Sequence, residues 1–139
     1  MPSIEFREYA RNIQETISAL VSTGEAVIIS LQIDQRSPLR GFISGVIRFN
    51  DGSELHFREF INLMADEPRL TFAYHYQDTD KNLIFRYDNA LHRPPLPQPE
   101  HKHTPSGVET VPIPTLAQVI DEILRLLSNR PSDEGDESR

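Results

Sequence analysis

From Ser3 to Ser22, apolar residues recur at helical spacing. Ala10, Ile13, Ile17, Leu20 and Val21 fall on one stripe, Ser3 suits the N-cap and Gly24 suits the stop, so the pattern predicts a helix with one buried face. At Ala26 the period changes to two. Val27, Ile29, Leu31 and Ile33 alternate with Ile28, Ser30, Gln32 and Asp34, which reads as a strand with one strongly apolar face. A second strand is predicted over Arg40 to Phe49, with Ile43, Ile47 and Phe49 on one side. Asn50-Asp51-Gly52 marks a tight turn. Ser53 to Ile61 follows as a third strand carrying Leu55, Phe57 and Ile61 on one face. Arg69 to Gln77 is a fourth, with Leu70, Phe72, Tyr74 and Tyr76 aligned. A turn at residues 78–82 leads to a fifth, lined by Leu83, Phe85 and Tyr87.

Residues 88–114 read as one long loop. Four prolines between His92 and His101, at Pro94, Pro95, Pro97 and Pro99, stiffen it without making it helix or strand. Beyond it, Thr115 and Gln118 have capping-box spacing, and Leu116, Val119, Ile120, Ile123, Leu124 and Leu127 predict a second amphipathic helix. Short connections between strands imply an antiparallel meander, and one apolar face per strand implies a single covered face. The expected fold is therefore α+β and two-layered: a five-stranded antiparallel sheet with the N-terminal and C-terminal helices on one face. Residues 1–130 would form one domain, and residues 131–139 an acidic, disordered tail.

Composition narrows the functions. At 139 residues, 37% apolar and 25% charged, the chain is in the globular range. It has no cysteine, which excludes disulfides and thiolate metal sites. No apolar run approaches the roughly 20 residues of a membrane span, and no basic-then-apolar leader is visible, so a cytoplasmic protein is expected. The net charge of -7 argues against nonspecific coating of nucleic acid, while leaving room for a small basic site. P-loop, dinucleotide-fingerprint, His-Glu-x-x-His and Gly-x-Ser-x-Gly motifs are absent.

The chemistry-bearing residues concentrate between positions 84 and 103. That stretch holds His92, His101 and His103, three of the five histidines, with Arg86, Arg93 and Lys102. In an extended segment His101 and His103 point the same way and can converge on a proton, a phosphate or a metal. Lys102 and Arg93 are candidate phosphate cations. The alternative for the cluster is a solvated polar loop. Strand alternation sends Tyr87 to the core and Arg86 and Asp88 to the other side. Asp88 then either orients Arg86 over an anion or forms an ordinary surface pair with it. His92 and Asn89 follow the strand end. Glu59 shares a face with Leu55, Phe57 and Ile61, so it must pair, shift its pKa or lie at the sheet margin. It is a candidate base or a structural partner of an arginine such as Arg86. His56 and His75 fall opposite the apolar sets, where His75 could join Arg86 and His92.

Tyr74-His75-Tyr76-Gln77, then Ile84-Phe85-Arg86-Tyr87-Asp88-Asn89-Ala90, then His92 and His101-Lys102-His103 resemble the TumE-like toxins of prokaryotic toxin–antitoxin systems. The resemblance runs from the first strand to the last helix. The chain departs from that pattern at Leu91, where proline is frequent, at Arg93, where a second histidine is frequent, and at Glu100-His101, where two histidines precede the lysine. The resemblance implies a toxin with a small antitoxin protein as partner.

Three functions compete. The first is a metal-independent nuclease acting on RNA without a cofactor. Its catalytic candidates are His92, His101, His103, Arg86, Asp88 and Glu59, and its substrate-binding candidates are Lys102, Arg93, His75, Tyr87 and Asn89. The second is a non-enzymatic binding module. The third is a metal protein with His92, His101, His103 and a carboxylate as ligands. A homodimer is compatible with each, and no membrane partner is expected.

Overall fold

Among the described residues, seven strands pair in simple sequential order, β1 to β7, in one antiparallel sheet, two more than the hydrophobic pattern predicts. The computed structural model describes residues 5–89 and 100–129. In chain order these hold α1 (Phe6–Ser22), β1 (Ala26–Ser37), β2 (Arg40–Phe49), β3 (Glu54–Asn62), β4 (Arg69–Gln77), β5 (Leu83–Asp88), β6 (His101–Thr104), β7 (Gly107–Thr110) and α2 (Leu116–Ser128). The expected N-cap Ser3 and the expected tail lie outside the described residues.

The two added strands correct the reading of residues 88–114 as a loop. β6 pairs with β5 through Arg86↔His103, Tyr87↔Lys102 and Asp88↔His101, and β7 pairs with β6 from His101↔Thr110 to Thr104↔Gly107. Their sequences, His-Lys-His-Thr and Gly-Val-Glu-Thr, contain a single large apolar residue, Val108. Alternating hydrophobicity cannot reveal such strands. They form because β5 offers an unpaired backbone edge, which a neighbouring segment can satisfy whatever its side chains.

β1 needs a second correction. Ala26 and Ile28 face Phe49 and Ile47 across the pair with β2, but the register shifts between Ile28 and Ser30, after which Leu31 and Ile33 face Gly45 and Ile43. The bulge at Ile29 changes the phase of the alternation. Leu31 and Ile33 therefore keep their contact with the core, while Val27 and Ile29 leave the predicted row and are about half exposed, at 52% and 46%.

Both helices cover the same face of the sheet, as their hydrogen bonds to it show: Tyr9 of α1 reaches Glu59, and Glu122 of α2 receives Tyr87 and Lys102. Phe6, Ala10, Ile13, Ile17 and Leu20 of α1 are buried, with Leu116, Val119, Ile120 and Ile123 of α2. α1 has no side-chain cap at Glu5. A cap contributes about 1 kcal/mol, whereas each fully buried large apolar side chain contributes about 1.5–3 kcal/mol, so the apolar stripe holds this helix in place. α2 has both supports: Gln118 N donates to Thr115 Oγ1 at 3.1 Å, and Thr115 N donates to Gln118 Oε1 at 2.9 Å. α1 lies so close to β2 that a Cβ on Gly41 would sit 2.2 Å from Phe6 Cζ.

Candidate functional site

Burial of one sheet face leaves the other to the polar half of each strand, and register then lines these residues up. His56 in β3 pairs with His75 in β4, His75 with Arg86 in β5, and Arg86 with His103 in β6. Residues paired across antiparallel strands share a face, so four basic side chains form a row across the open face. A parallel row runs Ser44, Arg58, Ala73, Asp88, His101.

Asp88 is the hub. It is buried, and its Oδ2 accepts from Arg86 Nε at 2.8 Å. His103 Nε2 lies 3.4 Å from Oδ2, and His101 Nδ1 lies 3.7 Å from Oδ1. The two imidazole centroids are 6.2 Å apart. His101 is 2% exposed, whereas His103 keeps about a quarter of its side chain open. Arg86 also sets the orientation of His75. Its Nη1 lies 3.4 Å from His75 Nδ1, and His75 Nε2 lies 3.1 Å from Gln77 Oε1. Arginine can only donate, so Nδ1 is the accepting nitrogen and Nε2 carries the hydrogen. Partial burial, reinforced by the Arg86 charge, lowers the His75 pKa, which keeps that ring neutral near pH 7.

Beside this network the open face is hollowed, with a volume of about 480 Å³. Small side chains at Ser30, Ser44 and Ala73 leave the space, and His56, Arg58, His75 and Arg86 border it. On the far side, Glu54 accepts from Arg48 at 2.8 Å and lies 3.0 Å from His56 Nε2, and both contacts lower its pKa. This arrangement can hold an anion over Arg58 and Arg86 and move protons beside it.

The family model described as Toxin TumE matches residues 15–131. The chain belongs to that family. No curated protein and no solved structure matches it significantly. Membership of a toxin family implies an antitoxin partner. Among the described residues, no helix is long and apolar enough to cross a membrane.

In this TumE-family chain, Arg86, Asp88, His101, His103 and His75 come together, while other candidates lie elsewhere. Glu59 is on the helix-covered face. Tyr9 and Tyr74 donate their hydroxyls to its two oxygens, and Arg69 Nη1 bonds Tyr74 at 2.9 Å and the Pro114 carbonyl. Burial and the adjacent carboxylate push both tyrosine pKa values well up, so the phenols stay protonated donors. Lys102 and Tyr87 also face the helices. Lys102 Nζ and Tyr87 Oη both donate to Glu122, each at 2.7 Å. Burial opposes the Lys102 charge, but Glu122 and Tyr87 outweigh it and raise its pKa. Asn89 extends the β4 edge instead, accepting from Phe72 N at 3.1 Å and donating to the Leu70 carbonyl at 3.0 Å. His92 and Arg93 lie outside the described residues.

Two residues of the site were not among the sequence candidates: Arg58, and Gln77, which entered only as the end of the Tyr74-His75-Tyr76-Gln77 motif. The signal was present, because Arg58 alternates in phase with His56, and Gln77 with His75.

Proposed function

We propose that this chain is the toxin of a toxin–antitoxin pair and that it cuts RNA on the open face of its sheet. The observation that supports this is the assembly of one cation and two imidazoles on a single buried carboxylate, Asp88, with that cation, Arg86, bordering a hollow. Arg86 holds the scissile phosphate and stabilises the negative charge that grows on it. A neutral imidazole takes the proton of the ribose 2′-hydroxyl, O2′ attacks phosphorus, and the P–O5′ bond breaks. A protonated imidazole then supplies the proton that O5′ requires. The products are a 2′,3′-cyclic phosphate and a 5′-hydroxyl end. His103, the more open imidazole on Asp88, is the first proton carrier, and His92 or His101 is the second. Asp88 orients Arg86 and His103.

Expression without antitoxin tests this reading. Growth should stop and RNA fragments with 5′-hydroxyl ends should accumulate. Loss of a general acid or base costs about 100-fold or more in rate, so His103→Ala should restore growth. Growth arrest with intact RNA would sink the nuclease and favour a binding module.

A second reading has its own observation. Asp88, His101 and His103 each offer a ligand atom, and these atoms lie within 4.8 Å of one another. Two histidines and a carboxylate suit a divalent transition metal, although Arg86 competes for Asp88. Stoichiometric metal in untagged protein, with activity lost to a chelator, would select this reading.

A further inference from the structure

The open face carries a pair of aromatic residues that the proposed chemistry does not use. Phe42 in β2 pairs with Phe60 in β3, and Phe60 with Thr71 in β4. Phe60 is 37% exposed, and Phe42 is half-buried. Core positions in β3 are Leu55, Phe57, Glu59 and Ile61, so Phe60 points away from the helices by strict alternation. The next open-face position along β3 is Arg58, which borders the hollow and has no ion pair among the described residues. Two strands beyond Arg58, in the same cross-strand row, lies Asp88. With open-face positions about 6.7 Å apart along a strand and strands about 4.8 Å apart, Phe60 lies about 12 Å from the Asp88 network. A short single strand of nucleic acid can cross that span.

We infer that Phe60 and Phe42 form a base-stacking subsite, and that single-stranded RNA runs from it over Arg58 to Arg86 and Asp88. The inference deepens the proposed function and rests on RNA being the substrate. Aromatic faces bind unstacked bases with little regard to sequence, and cations beside them hold the backbone. Phe60 supplies the face, and Arg58 supplies a cation not committed to a neighbouring carboxylate. Charge complementarity selects this occupant: an anionic chain laid on this face meets Arg58, then Arg86. The duplex is excluded for a physical reason. Its bases are stacked on each other and cannot lie on a phenylalanine ring. The subsite would therefore restrict the toxin to unpaired RNA and place the cut a short, fixed distance from the stacked base.

The test is a binding titration with a fluorescein-labelled, 2′-O-methylated oligonucleotide eight residues long. It lacks the attacking hydroxyl and so stays uncut. The same strand annealed to its complement is the second probe. The parent protein should bind the single strand and discriminate against the duplex. Phe60→Ala should weaken binding of the single strand roughly 5- to 150-fold, the range for one base–aromatic stack. The chain has no tryptophan, so Phe60→Trp introduces a single indole whose emission should change on binding while affinity is kept. Arg58→Ala should reduce the slope of log affinity against log salt by about 0.7, the value of one phosphate on a single strand. Thermal melts of the three variants should match the parent, since both side chains are exposed. Unchanged affinity in Phe60→Ala, equal binding of the duplex, or no binding by the parent would each overturn the subsite. Binding as expected with natural RNA left uncut would instead keep the subsite and remove the nuclease. Normal cleavage by Phe60→Ala at unchanged affinity would do the reverse.

Discussion

Arg86 Nε donates to Asp88 Oδ2 at 2.8 Å, two residues further along the same strand. Positions i and i+2 share a face in a strand, so this pair is formed locally by β5. The sheet then adds to it from both sides. β4 brings His75 to Arg86, and β6 brings His103 and His101 to Asp88.

The first prediction concerns this pair. Arg86→Ala removes the proposed phosphate cation and deprives Asp88, a buried carboxylate, of the Arg86 Nε donor. Toxicity should be lost, and stability should fall by roughly 1–3 kcal/mol, the usual penalty for depriving a buried polar group of its partner. His103→Ala should abolish toxicity at a smaller cost in stability. Growth after induction, read beside urea unfolding of the two purified variants, separates these effects. Full toxicity in a stably folded His103→Ala protein would argue against proton transfer there.

Glu59 should act as a structural group. Glu59→Gln replaces one accepting oxygen with a donor, so either Tyr9 or Tyr74 loses its acceptor in the interior. Hydrogen bonds to charged groups contribute about 1.5–3 kcal/mol, and a loss of that size should appear in the unfolding midpoint. RNA cleavage per folded molecule should be unchanged, because Glu59 lies on the helix-covered face and Asp88 on the open one. A folded Glu59→Gln protein that no longer cuts RNA would contradict this assignment.

Lys102 should prove dispensable for phosphate recognition. Its ammonium is bound to Glu122 and lies 5.1 Å from the Tyr87 ring centroid, on the side away from the histidines. Lys102→Met should keep toxicity and the affinity for RNA, and should lower the melting temperature through the lost contact with α2. A weaker salt dependence of RNA binding in Lys102→Met would show that this lysine does meet phosphate.

His75 gives a pH dependence with a definite sign. Its folded pKa is depressed by burial and by Arg86, so the unfolded chain binds the proton more readily. Stability from this residue is present above the unfolded pKa of about 6.5 and is lost as pH falls through the lower folded value. Unfolding free energy should therefore fall between about pH 7 and pH 5 more steeply in the parent than in His75→Gln. Parallel pH profiles for the two proteins would rule out a titrating His75.

The outcomes divide by range of interaction. Periodicity alone located α1, α2 and β1 to β5, because an amphipathic helix or strand writes its buried face into the spacing of its own residues. The same local rule turned Tyr87 toward the helices, where it packs partly buried against the core, sent Arg86 and Asp88 to the opposite side, and placed His56 and His75 on the open face. The capping box at Thr115 and Gln118 was equally legible, since both partners lie within one turn. Tertiary structure decided the rest. β6 and β7 exist because β5 has an edge to fill, and backbone hydrogen bonds ask nothing of side-chain polarity. The bulge at Ile29 depends on how β1 meets β2. Lys102 was grouped with its neighbours His101 and His103 by sequence, yet in a strand the middle residue of three faces the other way, so it went to Glu122. Glu59 found Tyr9 fifty positions away, a pairing that only the packing of α1 on the sheet could create.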